Sequence, residues 1–213
     1  MLEQYFYPKP KQEGEMSPVL GRYTFHEAEA LHLIRDAAQA LAFMHAAGMC
    51  HRDMKPHNIL LQRRRSGDGF SGVVMDLGST APALVQITSR REAIQAEERG
   101  EMQSSAAYRA PELTHVANDC TLSPSVDMWA LGCTLYCLAF GHSPFESSRE
   151  GILRLAILNV KWQIPSNNCS AIGEKYSEAT ISLIRDLLSA SPDDRPPAEV
   201  IIQRIDTALQ GIN

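Results

Sequence analysis

The stretch His51-Arg52-Asp53-Met54-Lys55-Pro56-His57-Asn58 gathers a candidate base, a cation and a metal ligand within the span of one loop. A loop that sets Asp53, Lys55 and Asn58 around one point can take a proton from a hydroxyl, neutralise a phosphate and hold Mg2+, which is what phosphoryl transfer needs. Such chemistry depends on the elements that hold the loop still.

Upstream, Thr24 and Glu27 read as a capping box, and Leu31, Ile34, Ala38, Leu41 and His45 recur at spacings of three and four. This pattern predicts an amphipathic helix that ends at Gly48 and leads into the loop. Downstream, Ile59-Leu60-Leu61 and Val73-Val74-Met75 read as the two strands of a small hairpin. Ser123 before Pro124 reads as an N-cap and first-turn pair, and the apolar stretch that follows runs to Phe140 and stops at Gly141. That stretch is too short to span a bilayer and is broken by Gly132, so it predicts a core helix buried on every side. Further helices are expected at about 147–159, at 177–189 through Ile181, Ile184, Leu187 and Leu188, and at 197–209 behind Pro196 and Pro197. The expected fold is mostly α, a helical bundle with one β-hairpin. Residues 1–22, with three prolines and no periodicity, read as an irregular leading segment.

A chain of 213 residues, 44% hydrophobic and 21% charged, supports one core. Its net charge of -5 argues against nucleic acid or an anionic membrane as the main partner, because both select a basic face. Five cysteines without a CxxC pair argue against a disulfide framework or zinc site and favour a reducing, cytoplasmic setting. Cys133 and Cys137, four apart in the apolar stretch, read as small buried thiols. Met1 to Pro10 lacks the apolar core of a signal peptide, and Leu2 stands where myristoylation needs glycine, so no direct membrane signal is expected. Oligomeric state is not legible here.

Beyond the loop, Asp76-Leu77-Gly78, Tyr108-Arg109-Ala110-Pro111-Glu112, Asp127-Met128-Trp129-Ala130-Leu131-Gly132 and Asp194-Arg195-Pro196 follow in order. Together with the loop they resemble the C-terminal lobe of a eukaryotic protein kinase, over 23–210, with an activation segment at 76–112. The resemblance implies ATP and Mg2+ as cofactors and a protein as substrate. It implies that Asp53 is the base, that Lys55 pairs with phosphate and favours Ser/Thr specificity, and that Asn58 and Asp76 hold Mg2+. Leu60 would be part of the adenine floor. Leu77 departs from the usual Phe and is expected to fill an apolar slot against His51. By the same resemblance Arg195 would pair with Glu112, Asp127 would bond the catalytic-loop backbone, and Ser105 would touch both Asp53 and Lys55. Arg52 beside Asp53 would answer to an activation-loop phosphate.

Between the two ends of that segment, Ser89 and Glu92 read as a capping box and Gly100 as a stop, which suggests about three turns of helix; a flexible regulatory loop is the alternative. This stretch, with Val73 to Ser79, resembles the serine/threonine-protein kinase 16 type within the Numb-associated kinase family. The string from Gly67 to Val74 fits the kinase glycine-loop pattern, but it follows the catalytic loop and so reads as a hairpin turn. No glycine loop, strand lysine or helix glutamate precedes the catalytic loop, so the N-terminal lobe is expected to be absent. The functional expectation is a serine/threonine protein kinase represented by its C-lobe. The alternative is an inactive lobe that acts as a binding or scaffold module.

Overall fold

The computed structural model describes residues 25–63, 69–165, 173 and 175–212. The leading segment at 1–22 lies outside them. Helix α1 (Glu27–Ala46) buries Leu31, Ile34, Ala38 and Leu41 completely, as its spacing demands. Its cap differs from the expected one. The N-cap is His26, whose backbone N–H donates to Glu29 Oε2 at 3.1 Å, while Thr24 lies outside the described residues. Glu27 is buried instead, and its carboxylate accepts the Ser177 N–H at 2.9 Å and the hydroxyls of Ser177 and Thr180. A carboxylate so placed needs those donors, and they tie the start of α1 to a distant helix start. At the other end Gly48, with φ 76°, turns the chain out of the helix as expected.

After α1 come β1 (Met49–Cys50), a 3-10 turn at Pro56–Asn58, and the hairpin of β2 (Ile59–Arg63) and β3 (Phe70–Val74). Ile59 pairs with Val74 and Arg63 with Phe70, so the strands extend further toward the turn than the apolar runs alone indicated. Gly67 and Asp68 of the glycine-rich string lie outside the described residues, and its remainder forms the turn end and β3. β4 (Ala81–Pro82) pairs with β1, and β5 (Val85–Ile87) pairs with β6 (Cys120–Leu122).

Between β5 and β6, the segment left open between helix and loop is α2 (Arg90–Gln103). Ser89 Oγ accepts the Glu92 N–H at 3.3 Å, and the Glu92 carboxylate accepts the Thr88 N–H at 2.7 Å. Gly100 does not stop this helix. It lies inside α2 and is buried, and a Cβ there would come within 3.2 Å of the Leu113 carbonyl oxygen on α3 (Pro111–Thr114), so glycine allows the two helices to approach.

Helix α4 (Ser125–Phe140) is buried at every position from Val126 to Phe140 and stops at Gly141. It begins one residue later than the expected first turn, with Pro124 as the flanking residue. Gly132 does not break it; a Cβ there would lie 2.7 Å from Leu187 Cβ, so glycine lets α4 press against α6 (Glu178–Leu187). The expected helix at 147–159 is replaced by β7 (Glu146–Ser147), β8 (Gly151–Ile152) and the short α5 (Arg154–Leu158). Gly151, at φ 70°, is left-handed and forms part of that small hairpin. Ser177 caps α6, and α7 (Ala198–Ile212) runs beyond its expected end. Each fully buried Leu or Ile contributes about 1.5–3 kcal/mol, so the all-round burial of α4 centres the core on that helix.

Candidate functional site

The catalytic loop rests on one buried carboxylate. Asp127, fully buried at the start of α4, accepts the His51 N–H on Oδ2 and the Arg52 N–H on Oδ1, each at 2.8 Å, and contacts His45 Nε2 at 2.9 Å. These bonds hold Arg52 at φ 71°, a left-handed backbone that costs a side-chain-bearing residue on the order of 1–3 kcal/mol. His51 adds a second brace. Its Nδ1 accepts the Asp53 N–H at 3.3 Å, so Nε2 carries the proton and donates to the Met75 carbonyl at 3.1 Å. The loop is thereby linked to the residue before Asp76.

Asp53, Lys55, Asn58 and Ser105 converge as expected. Asp53 Oδ2 accepts Lys55 Nζ at 2.7 Å and Asn58 Nδ2 at 3.1 Å, while Oδ1 accepts the Ser105 N–H at 2.8 Å. Lys55 Nζ also donates to Ser105 Oγ at 2.7 Å, and Asn58 Nδ2 to the Asp53 carbonyl at 2.7 Å. Burial alone would raise the Asp53 pKa, but the bonds from Lys55 and Ser105 outweigh it and hold the carboxyl below its ordinary value. The group therefore stays ionised, ready to orient a hydroxyl and receive its proton.

Asn58 spends its amide nitrogen on Asp53, which leaves its carbonyl oxygen as the hard donor that Mg2+ prefers. Asp76, exposed and left-handed at φ 64°, accepts the Gly78 N–H at 3.4 Å on Oδ1. The donor set of one carboxylate and one amide oxygen fits Mg2+, which keeps several waters and takes few protein ligands. Leu60 is 38% exposed on β2. Leu77 does not fill a slot against His51: it is 58% exposed in the 3-10 turn Leu77–Ser79, and His51 spends its ring on Met75 and Asp53.

The supporting ion pair forms as expected. Arg195 donates to both Glu112 oxygens, at 2.6 and 3.0 Å, and to the carbonyls of Ser125 and Ser189, with its guanidinium 4.9 Å from the Trp129 ring centroid. Two contributors escaped the sequence reading. His45 was placed only on a helical face, and Arg109 only within a motif; Arg109 is buried and bonds Ser104 Oγ at 2.8 Å, fixing the end of α2. His45 meets Asp127 from 82 positions away, and no local pattern signals such a pairing.

His45, Cys50 and Asp127 set ligand atoms within 4.8 Å of one another. Both Asp127 oxygens already serve backbone N–H groups, and burial, then Asp127, pushes the Cys50 thiol up to about 12, so the cluster works as a brace. Cys133 and Cys137 are buried free thiols, both pushed up chiefly by burial. Among the described residues no helix is long and apolar enough to cross a membrane.

The chain matches the protein kinase domain family over residues 5–205, so the match starts well before the expected boundary at 23 and takes in much of the leading segment. It is 33% identical to serine/threonine-protein kinase 16 of Mus musculus over 186 residues, covering 86% of this chain and 57% of that protein. The Homo sapiens protein of the same name is 32% identical over the same span. The 3-phosphoinositide-dependent protein kinase 1 of Arabidopsis thaliana is 34% identical over 173 residues, 81% of this chain and 32% of that protein. The chain thus spans little more than half of the serine/threonine-protein kinase 16 relatives. With its motifs in order and its catalytic loop braced on Asp127, the chain belongs to the protein kinase domain family.

Proposed function

We propose that this protein is a serine/threonine protein kinase that transfers the ATP γ-phosphate to protein hydroxyls, and that these residues are its C-lobe. The observation that carries the reading is the closed set of bonds joining Asp53, Lys55, Asn58 and Ser105. Asp53 would orient the substrate hydroxyl and take its proton, and Lys55 would face the transferring phosphoryl group. Ser105, bonded to both, would set the distance between them. Asn58 and Asp76 would hold Mg2+, which when bound neutralises charge on the phosphates. Arg195, Glu112 and Asp127 would support the loop without touching substrate. The Ser/Thr preference rests on Lys55, and the cytoplasmic setting on the free thiols at Cys50, Cys120, Cys133 and Cys137.

Leu60, Val73, Met75 and Leu77 are exposed along one edge, beside Asp76, and an upper lobe would cover them. The same edge favours a second reading, a binding module that docks a partner there. Native protein immunoprecipitated from its source and given labelled ATP, Mg2+ and a generic Ser/Thr substrate separates the two. Transfer that vanishes in Asp53→Asn, from a band well above 23.6 kDa, supports the kinase. A band at that mass without transfer supports the module.

A further inference from the structure

Asp76 sits in a backbone state that its own turn does not secure. It is exposed and left-handed at φ 64°, and its carboxylate accepts only the Gly78 N–H, at 3.4 Å. A residue with a side chain keeps such a state only when its flanks are held. The upstream flank is held: Met75 donates its N–H to the Asn58 carbonyl at 2.9 Å and accepts from His51 Nε2 at 3.1 Å. The downstream flank, Leu77–Ser79, is a single 3-10 turn closed on itself, with the Thr80 N–H and hydroxyl both donating to the Leu77 carbonyl. Among the described residues, one side-chain hydrogen bond leaves the arc 76–80: Ser79 Oγ donates to the Gln103 carbonyl at 2.5 Å.

That acceptor has a particular place. Gln103 is the last residue of α2, and the carbonyls at a helix end lack an intrahelical partner. Its neighbours are taken from the other side: the Gly100 carbonyl by the Ser104 hydroxyl, and the Glu101 and Ser104 carbonyls by Arg109 Nη2. Two residues beyond Gln103, the Ser105 N–H donates to Asp53 Oδ1. The short stretch 103–105 therefore grips the Asp76 turn at one end and the base at the other. We propose that Ser79 is a positioning residue, whose bond to the end of α2 sets the Asp76 carboxylate relative to Asp53 and Asn58 so that a divalent cation can be held there. This role rests on reading Asp76 as a metal ligand, and it makes α2 a support of the metal site to which α2 gives no ligand.

The test titrates Mn2+ into the full chain and follows paramagnetic broadening of the Gly78 N–H and the Asn58 side-chain amide. In the native chain both should broaden together and saturably, and Asp76→Asn should abolish the broadening at Gly78. Ser79→Ala is expected to weaken Mn2+ binding about fivefold, as the loss of one neutral hydrogen bond would, while Ser79→Thr keeps the hydroxyl and stays near native. A merely structural role for Ser79 would lower the thermal midpoint and leave that affinity where it was. Native affinity in Ser79→Ala, or equal losses in Ser79→Thr and Ser79→Ala, overturns the positioning role and leaves Asp76 as a metal ligand. No saturable broadening in the native chain, or broadening that survives Asp76→Asn, overturns both the positioning role and the metal reading of Asp76.

Discussion

The floor beneath the catalytic loop and the edge that would face a nucleotide are built to opposite standards. Beneath the loop, Asp127 is fully buried with three partners and the Arg195 side chain is fully buried with four acceptor atoms in reach. At the edge, Asp76 is exposed, Leu77 is 58% exposed, and Leu60, Val73 and Met75 stand open beside them. Buried polar groups must be paired within the chain or pay their desolvation, whereas exposed ones leave that to water or a partner. The difference teaches that among the described residues Asp53 is held by bonds within the chain, whereas Asp76 and Leu60 stand on an open surface.

The largest expected effect strikes the floor. Arg195→Met leaves the partly buried Glu112 carboxylate unpaired, and a loss of about 3–5 kcal/mol in urea denaturation is expected. An effect below about 1 kcal/mol would break the comparison, since the floor would then be no more determined than the edge.

Asp127→Asn comes next. The amide cannot accept from both backbone N–H groups, because its nitrogen must face one of them, and about 2–3 kcal/mol of stability should go. The left-handed backbone at Arg52 should relax with it, visible as faster amide exchange at His51 and Arg52.

Gly132→Ala tests the packing of the same floor. Its methyl meets Leu187 Cβ at 2.7 Å, so overpacking should cost about 1–3 kcal/mol, read as a lowered Tm.

Asp53 links the two regions, and pH reads it. Its folded pKa lies below the ordinary 3.8, so its stabilising contribution is complete above that value and is lost as pH falls through the lower folded value. Stability of the native chain should therefore fall in that acid window by more than that of Asp53→Asn, which has nothing there to protonate. Equal acid slopes would show that the bonds from Lys55 and Ser105 do not favour the charged form.

The smallest effect belongs to the edge. Leu77→Ser should change stability by no more than about 0.5 kcal/mol, because most of the side chain already meets water. A larger loss would mean that Leu77 packs in solution against something that His51 and Met75 do not reveal.

Much of this protein was legible from spacing alone. The periodicity of Leu31, Ile34, Ala38 and Leu41 specified α1, the uninterrupted apolar run specified a helix buried all round, and Ser89 with Glu92 marked the start of α2, because these are signals between residues a few positions apart. The motif order identified Asp53, Lys55, Asn58 and Ser105, and their bonds close around one point. What only the tertiary structure decided were the meanings that depend on distant partners. Glycines at 100 and 132 read as breaks in sequence and act as contact points, because the neighbours that need the space, Leu113 and Leu187, come from other helices. Glu27 reads as a cap and serves as an inter-helix acceptor, His45 reads as one more position of the helix's recurring face and braces Asp127, and Leu77 reads as filling a slot against His51 and faces outward. Local chemistry is written in neighbouring residues, but the partner of a buried polar group is chosen by packing, which brings together positions that no short pattern connects.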